Sequence, residues 1–338
     1  QGYDCDGAML KLAPNEDSRC CSADDAEDAR QAATRLGMRF YVFNETDRFR
    51  RCVMDRFTAE YAAGRTPNPC IDCNRELKFG ALLDRALTLG YDYIATGHYA
   101  RVAYDAESGR YRLLRGVERR KDQSYVLYML TQAQLARIYF PLGDKTKREV
   151  RELALSLGLA AGQSRESQDI CFIPDGDYRA YLERERPGCL RPGNFVSVSG
   201  EVLGRHKGTA AYTVGQRRGL GVSAAAPLYV VGRDVSANTV ILGGEADLYR
   251  KRLRVRDVSF LSGRTPSAPM RVTAKLRYSQ KPAPATVWPE DGGAVVEFDK
   301  PERAVSPGQA AVFYEDDYLL GGGTICAADE GSGKRREG

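Results

Sequence analysis

Two cysteine-bearing segments lie far apart in the chain, Thr66-Pro67-Asn68-Pro69-Cys70-Ile71-Asp72-Cys73-Asn74 and Ser167-Gln168-Asp169-Ile170-Cys171, and together they point to paired thiol chemistry. Pro67 and Pro69 hold the first segment extended, because proline fixes its own φ and drives the preceding residue out of the helical region. Asn74 directly follows Cys73 and is placed to cap the helix read from Leu77, Phe79, Leu82, Leu83 and Ala86. A thiol at a helix N-terminus ionises more readily, since the backbone N–H groups favour the thiolate, and the thiolate is the nucleophile. Cys73 is therefore the expected nucleophile.

The elements that must position these thiols alternate in type through the first half of the chain. Ser22 is a candidate cap for a helix with Ala26, Ala29, Ala33 and Leu36 on one face, and Gly37 stops it. Met38 to Phe43 reads as a strand. Phe49, Val53, Phe57 and Tyr61 make a helical stripe that Gly64 closes, and Tyr91 to Thr96 is a further strand that runs into Gly97-His98-Tyr99. Thr146 and Glu149 form a capping box for a helix through Val150, Leu153, Leu155 and Leu157. Such alternation predicts an α/β, doubly wound parallel sheet, with ligands beyond the carboxyl ends of the strands, where Gly97 and His98 fall.

Past about Pro187 the texture changes to short β-like runs broken by glycine and proline: Phe195 to Val198, Tyr212 to Val214, Leu228 to Val231 and Thr239 to Leu242. From Leu253 a second series follows, including Val272 to Leu276, Ala294 to Phe298 and Ala310 to Tyr314, and it fits a compact β-barrel. The expected organisation is a nucleotide-binding and catalytic α/β domain over 1–186, a central β-rich domain over 187–248, a C-terminal β-barrel over 249–328 and a disordered tail over 329–338.

A chain of 338 residues is too long for one comfortable core, and its 43% hydrophobic content is ordinary for a globular protein. No apolar run reaches membrane-spanning length and no secretory signal opens the chain, so a soluble, cytosolic protein is expected. Nine irregularly spaced cysteines fit reduced thiols better than a disulfide framework. The net charge of +5 is mild, so binding of a polyanion needs a local patch. Arg217-Arg218, Arg119 to Lys121 and Lys251 to Arg256 are candidates, although each alone reads first as solvated surface charge.

Several blocks carry a resemblance to a known family. Ala63-Gly64-Arg65-Thr66-Pro67-Asn68-Pro69 with Cys73-Asn74 and Lys78-Phe79 resembles the tRNA-specific 2-thiouridylases of the MnmA type. Further blocks match in order: Ala95-Thr96-Gly97-His98-Tyr99, Lys121-Asp122-Gln123-Ser124-Tyr125, Ser167-Gln168-Asp169-Ile170-Cys171-Phe172, Tyr212-Thr213-Val214-Gly215-Gln216-Arg217-Arg218-Gly219, and Leu276-Arg277-Tyr278. The resemblance covers nearly the whole chain and implies a HUP-like, PP-loop type first domain. The family opens with a strand and a Ser-Gly-Gly-x-Asp-Ser loop that cradles ATP phosphates at a helix N-terminus. The chain instead begins Gln1-Gly2-Tyr3-Asp4, similar to the start of the family's second strand, so a chain truncated ahead of this point is expected. Adenine-side contacts at Leu10 and Gly97 would survive such a truncation, and the phosphate grip would not.

The resemblance implies a reaction in which sulfur replaces the C2 oxygen of the wobble uridine in tRNAs for lysine, glutamate and glutamine, with ATP and Mg2+. Cys171 would carry the persulfide, loaded by a sulfur carrier protein or a cysteine desulfurase. Cys73 would attack it and leave a Cys73–Cys171 disulfide, or would liberate hydrosulfide. The base sits in a single-stranded loop and can be splayed into a pocket lined by Asn68, Pro69 and Cys70. His98, Lys121, Asp122, Gln123, Arg277, Tyr278 and Gln309 would touch the tRNA, and a monomer binding one tRNA is implied.

Some members carry aspartate where this chain has Cys70. Cys70, Cys73 and Cys171 offer three thiolates, so an iron–sulfur cluster with one open iron site stands beside a cluster-free mechanism. Zinc is disfavoured, because no second C-x-x-C is present and Cys20-Cys21 are adjacent. Cys20-Cys21-Ser22-Ala23-Asp24 resembles a family stretch or serves as a helix cap. Cys5, Cys52, Cys189 and Cys326 read as buried small hydrophobes. His98 alone would be a structural histidine but gains weight after a strand and a glycine. His206 lies in a basic loop that contacts RNA or makes a turn, and Tyr212 to Gly219 is either a hairpin or a phosphate contact. Three classes of function remain open: an ATP-dependent tRNA sulfurtransferase, a degenerate tRNA-binding protein without ATP chemistry, and a thiol oxidoreductase using Cys70 and Cys73.

Overall fold

A computed structural model describes residues 2–12, 23–159 and 170–328. Its first strands are β1 (Gly7–Lys11) and, after helix α1 (Ala23–Arg35), β2 (Phe40–Asn44). They pair in parallel, Gly7 opposite Phe40 and Lys11 opposite Asn44, through the helical crossover that a parallel pair requires. Ser22, the expected cap of α1, lies outside the described residues.

Phe49, Val53, Phe57 and Tyr61 are buried as their spacing demands. They sit on one continuous rod made of α2 (Thr46–Phe49), a π-helical stretch (Arg50–Met54) and α3 (Asp55–Ala62). A strict four-residue repeat drifts around an α-helix of about 3.6 residues per turn, and the wider π turn counters that drift. A second rod combines α4 (Pro69–Cys73), a π-helical stretch (Asn74–Ala81) and α5 (Leu82–Thr88).

The strand expected over 91–96 shortens to β3 (Ile94–Ala95). A hairpin that sequence periodicity did not predict follows, β4 (Ala100–Asp105) and β5 (Arg110–Arg115). Then β6 (Ile138–Tyr139) pairs in parallel with β3. After β5, the short helix α6 (Gln132–Leu135) leads into β6. In α7 (Lys147–Ser156) the Thr146 and Glu149 capping box forms, but Leu153, Leu155 and Leu157 stay about half exposed. Helix α8 (Tyr178–Glu185) leads into the β-rich half.

Four strands, β7 (Gly193–Ser197), β8 (Val202–His206), β9 (Tyr229–Asp234) and β10 (Thr239–Gly243), form the central sheet in the order β8-β7-β10-β9. Tyr212 to Val214 is not a strand. That segment follows a tight turn at Thr209–Ala211, and Tyr212 is buried edge-on against Phe195 at 5.1 Å, so its apolar character comes from core packing rather than from a sheet face.

The last unit comprises β11 (Tyr249–Phe260), β12 (Met270–Lys275), β13 (Ala283–Glu290), β14 (Gly293–Arg303), β15 (Ala310–Glu315) and β16 (Tyr318–Ala328). They run β11-β14-β13-β12-β15-β16, and β11 pairs with β16 to close the barrel, which removes the open edges. Val255, Val272, Val287, Val296, Phe298 and Phe313 fill it. The unbroken apolar run of β15 has a reason: Ala311 and Phe313 face the barrel core, while Ala310, Val312 and Tyr314 pack on the first domain. Strand β5 also pairs with β16, Leu114 opposite Tyr318, so the hairpin welds the first domain to the barrel's sheet. Among the described residues no helix is long and apolar enough to cross a membrane.

Candidate active site

The cap of the cysteine helix is Asn68, not Asn74. Asn68 has extended backbone and its Oδ1 accepts the Cys70 N–H at 3.1 Å, with Pro69 at the first helical position, where its missing N–H costs nothing. Cys73 therefore lies beyond the first turn, and the field of the helix N-terminus falls on Cys70 instead. Asn74 is buried inside the rod, its Nδ2 donating to the Val126 carbonyl at 3.0 Å. Further along, Gln134 Nε2 donates to the Phe79 carbonyl at 2.7 Å. The rod is thus held at its cap, at the residue after Cys73, and in its second half.

Cys70 is exposed and Cys73 buried. Cys73 belongs to an apolar cluster with Leu12, Phe49, Phe57, Leu77 and Phe172, and half-buried Cys171 and Leu10 pack against the same cluster. The structure thereby brings the two expected catalytic thiols and the expected adenine contact of β1 to one place. Cys171 rides on a succession of tight turns, with the Ile173 N–H on the Ile170 carbonyl at 2.9 Å and the Gly176 N–H on the Ile173 carbonyl at 3.0 Å. Ser167, Gln168 and Asp169 of its motif lie outside the described residues, as do Cys20 and Cys21.

Neither the expected disulfide nor the expected cluster ligand set is formed. Cys73 and Cys171 are not linked to one another by a disulfide. Among the described residues no three His, Cys, Asp or Glu side chains group as a metal site. With Cys70 turned to solvent and Cys73 in the apolar cluster, the Cys70, Cys73 and Cys171 set does not fit an iron–sulfur centre, which needs its thiolates converging on one point. Cys5 and Cys326 are exposed and Cys52 and Cys189 half-buried, so the isolated cysteines are not the buried fillers expected of them.

Asp72, between the two cysteines of the rod, is buried. Burial raises its carboxyl pKa, opposed by Arg56 at 3.2 Å and Arg75 at 3.5 Å. Sequence reasoning passed over it because an aspartate between two cysteines carries no signal of burial of its own.

The residues expected at tRNA divide sharply. His98 is 7% exposed, packed on the rings of Phe79 at 5.6 Å and Phe140 at 5.7 Å, with Nδ1 2.7 Å from Thr96 Oγ1. Burial, with a lesser push from Lys78, drives its pKa down to about 3, which favours the neutral ring. Asp122 is buried and accepts from the Gly116 and Ser124 N–H groups and from Ser124 Oγ. Gln123 Oε1 accepts the Tyr99 N–H at 2.9 Å. Arg277 Nη2 donates to the Val214 carbonyl at 3.1 Å, to Ser306 Oγ at 2.9 Å and to the Ala304 carbonyl, bridging the central unit and the barrel. Gln309 Nε2 donates to the Thr66 carbonyl at 2.7 Å. Lys121 is half-buried and Tyr278 exposed. Gly97 follows β3, at a strand's carboxyl end.

Lys275, which sequence reading missed, is buried with its ammonium 5.6 Å from the Tyr125 ring and 5.4 Å from the Tyr278 ring. Burial lowers its pKa. His206 is the buried last residue of β8: its Nδ1 accepts the Gly208 N–H at 2.9 Å and its Nε2 lies 3.1 Å from the Asn238 carbonyl.

Comparison with known proteins follows the same three parts. The chain matches the family models described as a tRNA methyl transferase HUP domain over residues 1–175, a tRNA methyl transferase PRC-barrel domain over 179–244, and an aminomethyltransferase beta-barrel domain over 250–325. It is 50% identical to the tRNA-specific 2-thiouridylase MnmA of Roseiflexus sp. (strain RS-1), covering 96% of this chain and 93% of that protein. The proteins of the same name from Acetivibrio thermocellus and Chloroflexus aurantiacus are 47% and 51% identical, over 96% of this chain and 93% and 92% of theirs. The expected architecture holds: a HUP α/β domain, a small central β domain and a closed barrel.

Proposed function

Because the chain belongs to the tRNA-specific 2-thiouridylase family, a family of tRNA sulfurtransferases, we propose that it replaces the C2 oxygen of the wobble uridine by sulfur carried as a persulfide on Cys171. The observation that carries this reading is the packing of Cys73 and Cys171 against one apolar cluster. A uracil C2 carbonyl is a poor electrophile with no leaving group, and ATP as cosubstrate supplies one by adenylating that oxygen. Leu10 and Gly97 suit the adenine, since an aliphatic side chain packed in the cluster of the thiols and a bare backbone each lie at a strand's carboxyl end. Mg2+ accompanies the nucleotide.

The terminal sulfur of the Cys171 persulfide bonds to C2 while the C2–O bond breaks and AMP departs with its electron pair. The Cys73 thiolate then attacks Cys171 Sγ. The bond from Cys171 to the transferred sulfur breaks, its electron pair stays on the thiouridine sulfur, and a Cys73–Cys171 disulfide forms. A thiol reductant supplies two electrons to reset the pair. In the variant sequence Cys73 attacks first and hydrosulfide is the species that meets C2.

In this reading Asn68, Pro69 and Cys70 line the base pocket, and exposed Tyr278 with Lys121 faces the RNA. The substrates are the lysine, glutamate and glutamine tRNAs, the donor is a sulfur carrier protein or cysteine desulfurase, and a monomer works on one tRNA in the cytoplasm. Nucleoside mass spectrometry of unmodified glutamate tRNA incubated with ATP, a sulfur donor and the protein tests it. Thiolated wobble uridine that disappears with either Cys73→Ser or Cys171→Ser is the expected result. tRNA binding without sulfur incorporation would replace the enzyme by an RNA-binding protein.

A further inference from the structure

Thr66 lies four residues ahead of Cys70 and is 9% exposed. Its N–H donates to the Pro307 carbonyl at 2.7 Å, its carbonyl accepts from Gln309 Nε2 at 2.7 Å, and its hydroxyl accepts from Arg233 Nη2 at 3.0 Å. Every one of these partners belongs to another part of the molecule, two just ahead of β15 and one on β9. The approach is close enough to select its neighbours. A Cβ on Gly308, whose φ is +91°, would stand 2.7 Å from Thr66 N, and a Cβ on Gly64 would stand 2.6 Å from Val235 Cγ2 at the end of β9.

Arg233 makes the arrangement costly. Among the described residues it forms no ion pair, and its other donor, Nη1, goes to the Tyr212 carbonyl at 2.7 Å. Burial lowers its pKa, the mark of a cation held away from water without a carboxylate. A hydrophobic residue of similar size would leave the Tyr212 carbonyl and the Thr66 hydroxyl without this donor, so the arginine fixes the geometry of the junction through two directed bonds. Two residues beyond Tyr212, Val214 is held by Arg277, and three beyond that begins the exposed Arg217-Arg218 pair.

The geometry points to Thr66 as a positioning residue, latched by Arg233, that sets the Asn68-Pro69-Cys70 turn and with it Cys73 against the two domains that flank it. This rests on the sulfurtransferase reading for its consequence, though not for its existence. Nothing in the turn itself, two prolines and a cap, fixes its orientation relative to the barrel, so the latch supplies that register. Because Gln309 binds the Thr66 carbonyl, RNA that engages the barrel face is connected to the cysteine rod through one residue.

The test measures the single-turnover rate of sulfur transfer and the tRNA dissociation constant for Thr66→Val, Thr66→Ser, Arg233→Met and the Thr66→Val/Arg233→Met pair. Misplacement of a reacting group by about 1 Å costs roughly a hundredfold, so each of Thr66→Val and Arg233→Met should slow transfer by about ten- to a hundredfold. The tRNA dissociation constant should stay within about threefold, Thr66→Ser should retain the rate within about threefold, and the double variant should lose no more than either single. Full rates in both singles, additive losses, or a loss confined to tRNA affinity would overturn the latch. Amide exchange at position 66 decides the case in which a variant is merely less stable or the wild-type chain transfers no sulfur. Exchange at position 66 accelerated about tenfold in Arg233→Met, with barrel amides unchanged, supports the latch, and unchanged exchange there overturns it. Absence of sulfur transfer by the wild-type chain would sink the function reading alone.

Discussion

The two thiols are mounted in opposite ways. Cys73 sits on a long helical rod pinned at Asn68, Asn74 and Phe79, with its side chain in the apolar cluster. Cys171 sits on tight turns, half-buried, anchored through its neighbours Phe172 and Ile173, which are buried in that same cluster. The difference suits the proposed division of labour, in which the sulfur of Cys73 is stationary and that of Cys171 is loaded from outside. A buried thiol is shielded from bulk oxidants, whereas a persulfide carrier has to be reached by a donor protein.

Exchange of either cysteine is the strongest way to break this comparison. Cys73→Ser and Cys171→Ser should each lower sulfur incorporation by at least about a thousandfold, since members of one catalytic unit fail together. Intact-mass analysis after loading should find an added sulfur on Cys73→Ser but not on Cys171→Ser. The reverse pattern would exchange the two roles.

Removing the anchor of the Cys171 turn is the next largest perturbation. Phe172 meets Phe49, Phe57 and Tyr181 at centroid distances of 5.7, 5.4 and 5.3 Å and is 6% exposed. Phe172→Ala should cost about 3–5 kcal/mol in urea unfolding. A cost under about 1 kcal/mol would mean that the turn is not held by this ring.

On the rod side, His98 packs against Phe79 and titrates with its pKa lowered from 6.5 to about 3. Its depressed folded pKa means that the unfolded chain takes up the proton first as pH falls. The stability it allows is complete above the ordinary value of 6.5 and is lost progressively as pH falls toward about 3. At about 1.4 kcal/mol per unit, roughly 2 kcal/mol should vanish between about pH 6.5 and pH 5. Chemical denaturation across that range checks it, and His98→Gln should flatten the profile; an equally steep profile in the variant would assign the effect elsewhere.

The smallest effect is at the cap. Asn68→Ala should lower stability by about 1 kcal/mol, read as a shift in the urea midpoint at constant slope. No loss from Asn68→Ala would mean that the Asn68 side chain does not cap the rod.

Local rules reached far into this molecule. The Phe49, Val53, Phe57 and Tyr61 stripe, the Thr146 and Glu149 box, and the barrel strands around Val272, Ala294 and Ala310 were legible, because burial on one face and a reciprocal cap are written in spacings of a few residues. The hairpin of β4 and β5 was not, since its strands alternate arginine and tyrosine with apolar residues and resemble surface. Tyr212 to Val214 misled for the opposite reason: a buried loop borrows the composition of a strand.

The ordered blocks of residues by themselves determined the family and the three-part architecture, and they singled out Cys73 and Cys171 as the candidate thiols. Only the tertiary structure decided which cysteine of the C-x-x-C pair is buried, that His98, Asp122, Gln123, Arg277 and Gln309 spend side-chain groups inside the protein, and that Thr66 joins three domains. The physical reason is range. Helix, strand and cap are settled by neighbours along the chain, whereas desolvation of a histidine or a hydrogen bond from Arg233 to Thr66 spans 167 positions and exists only after the domains have packed.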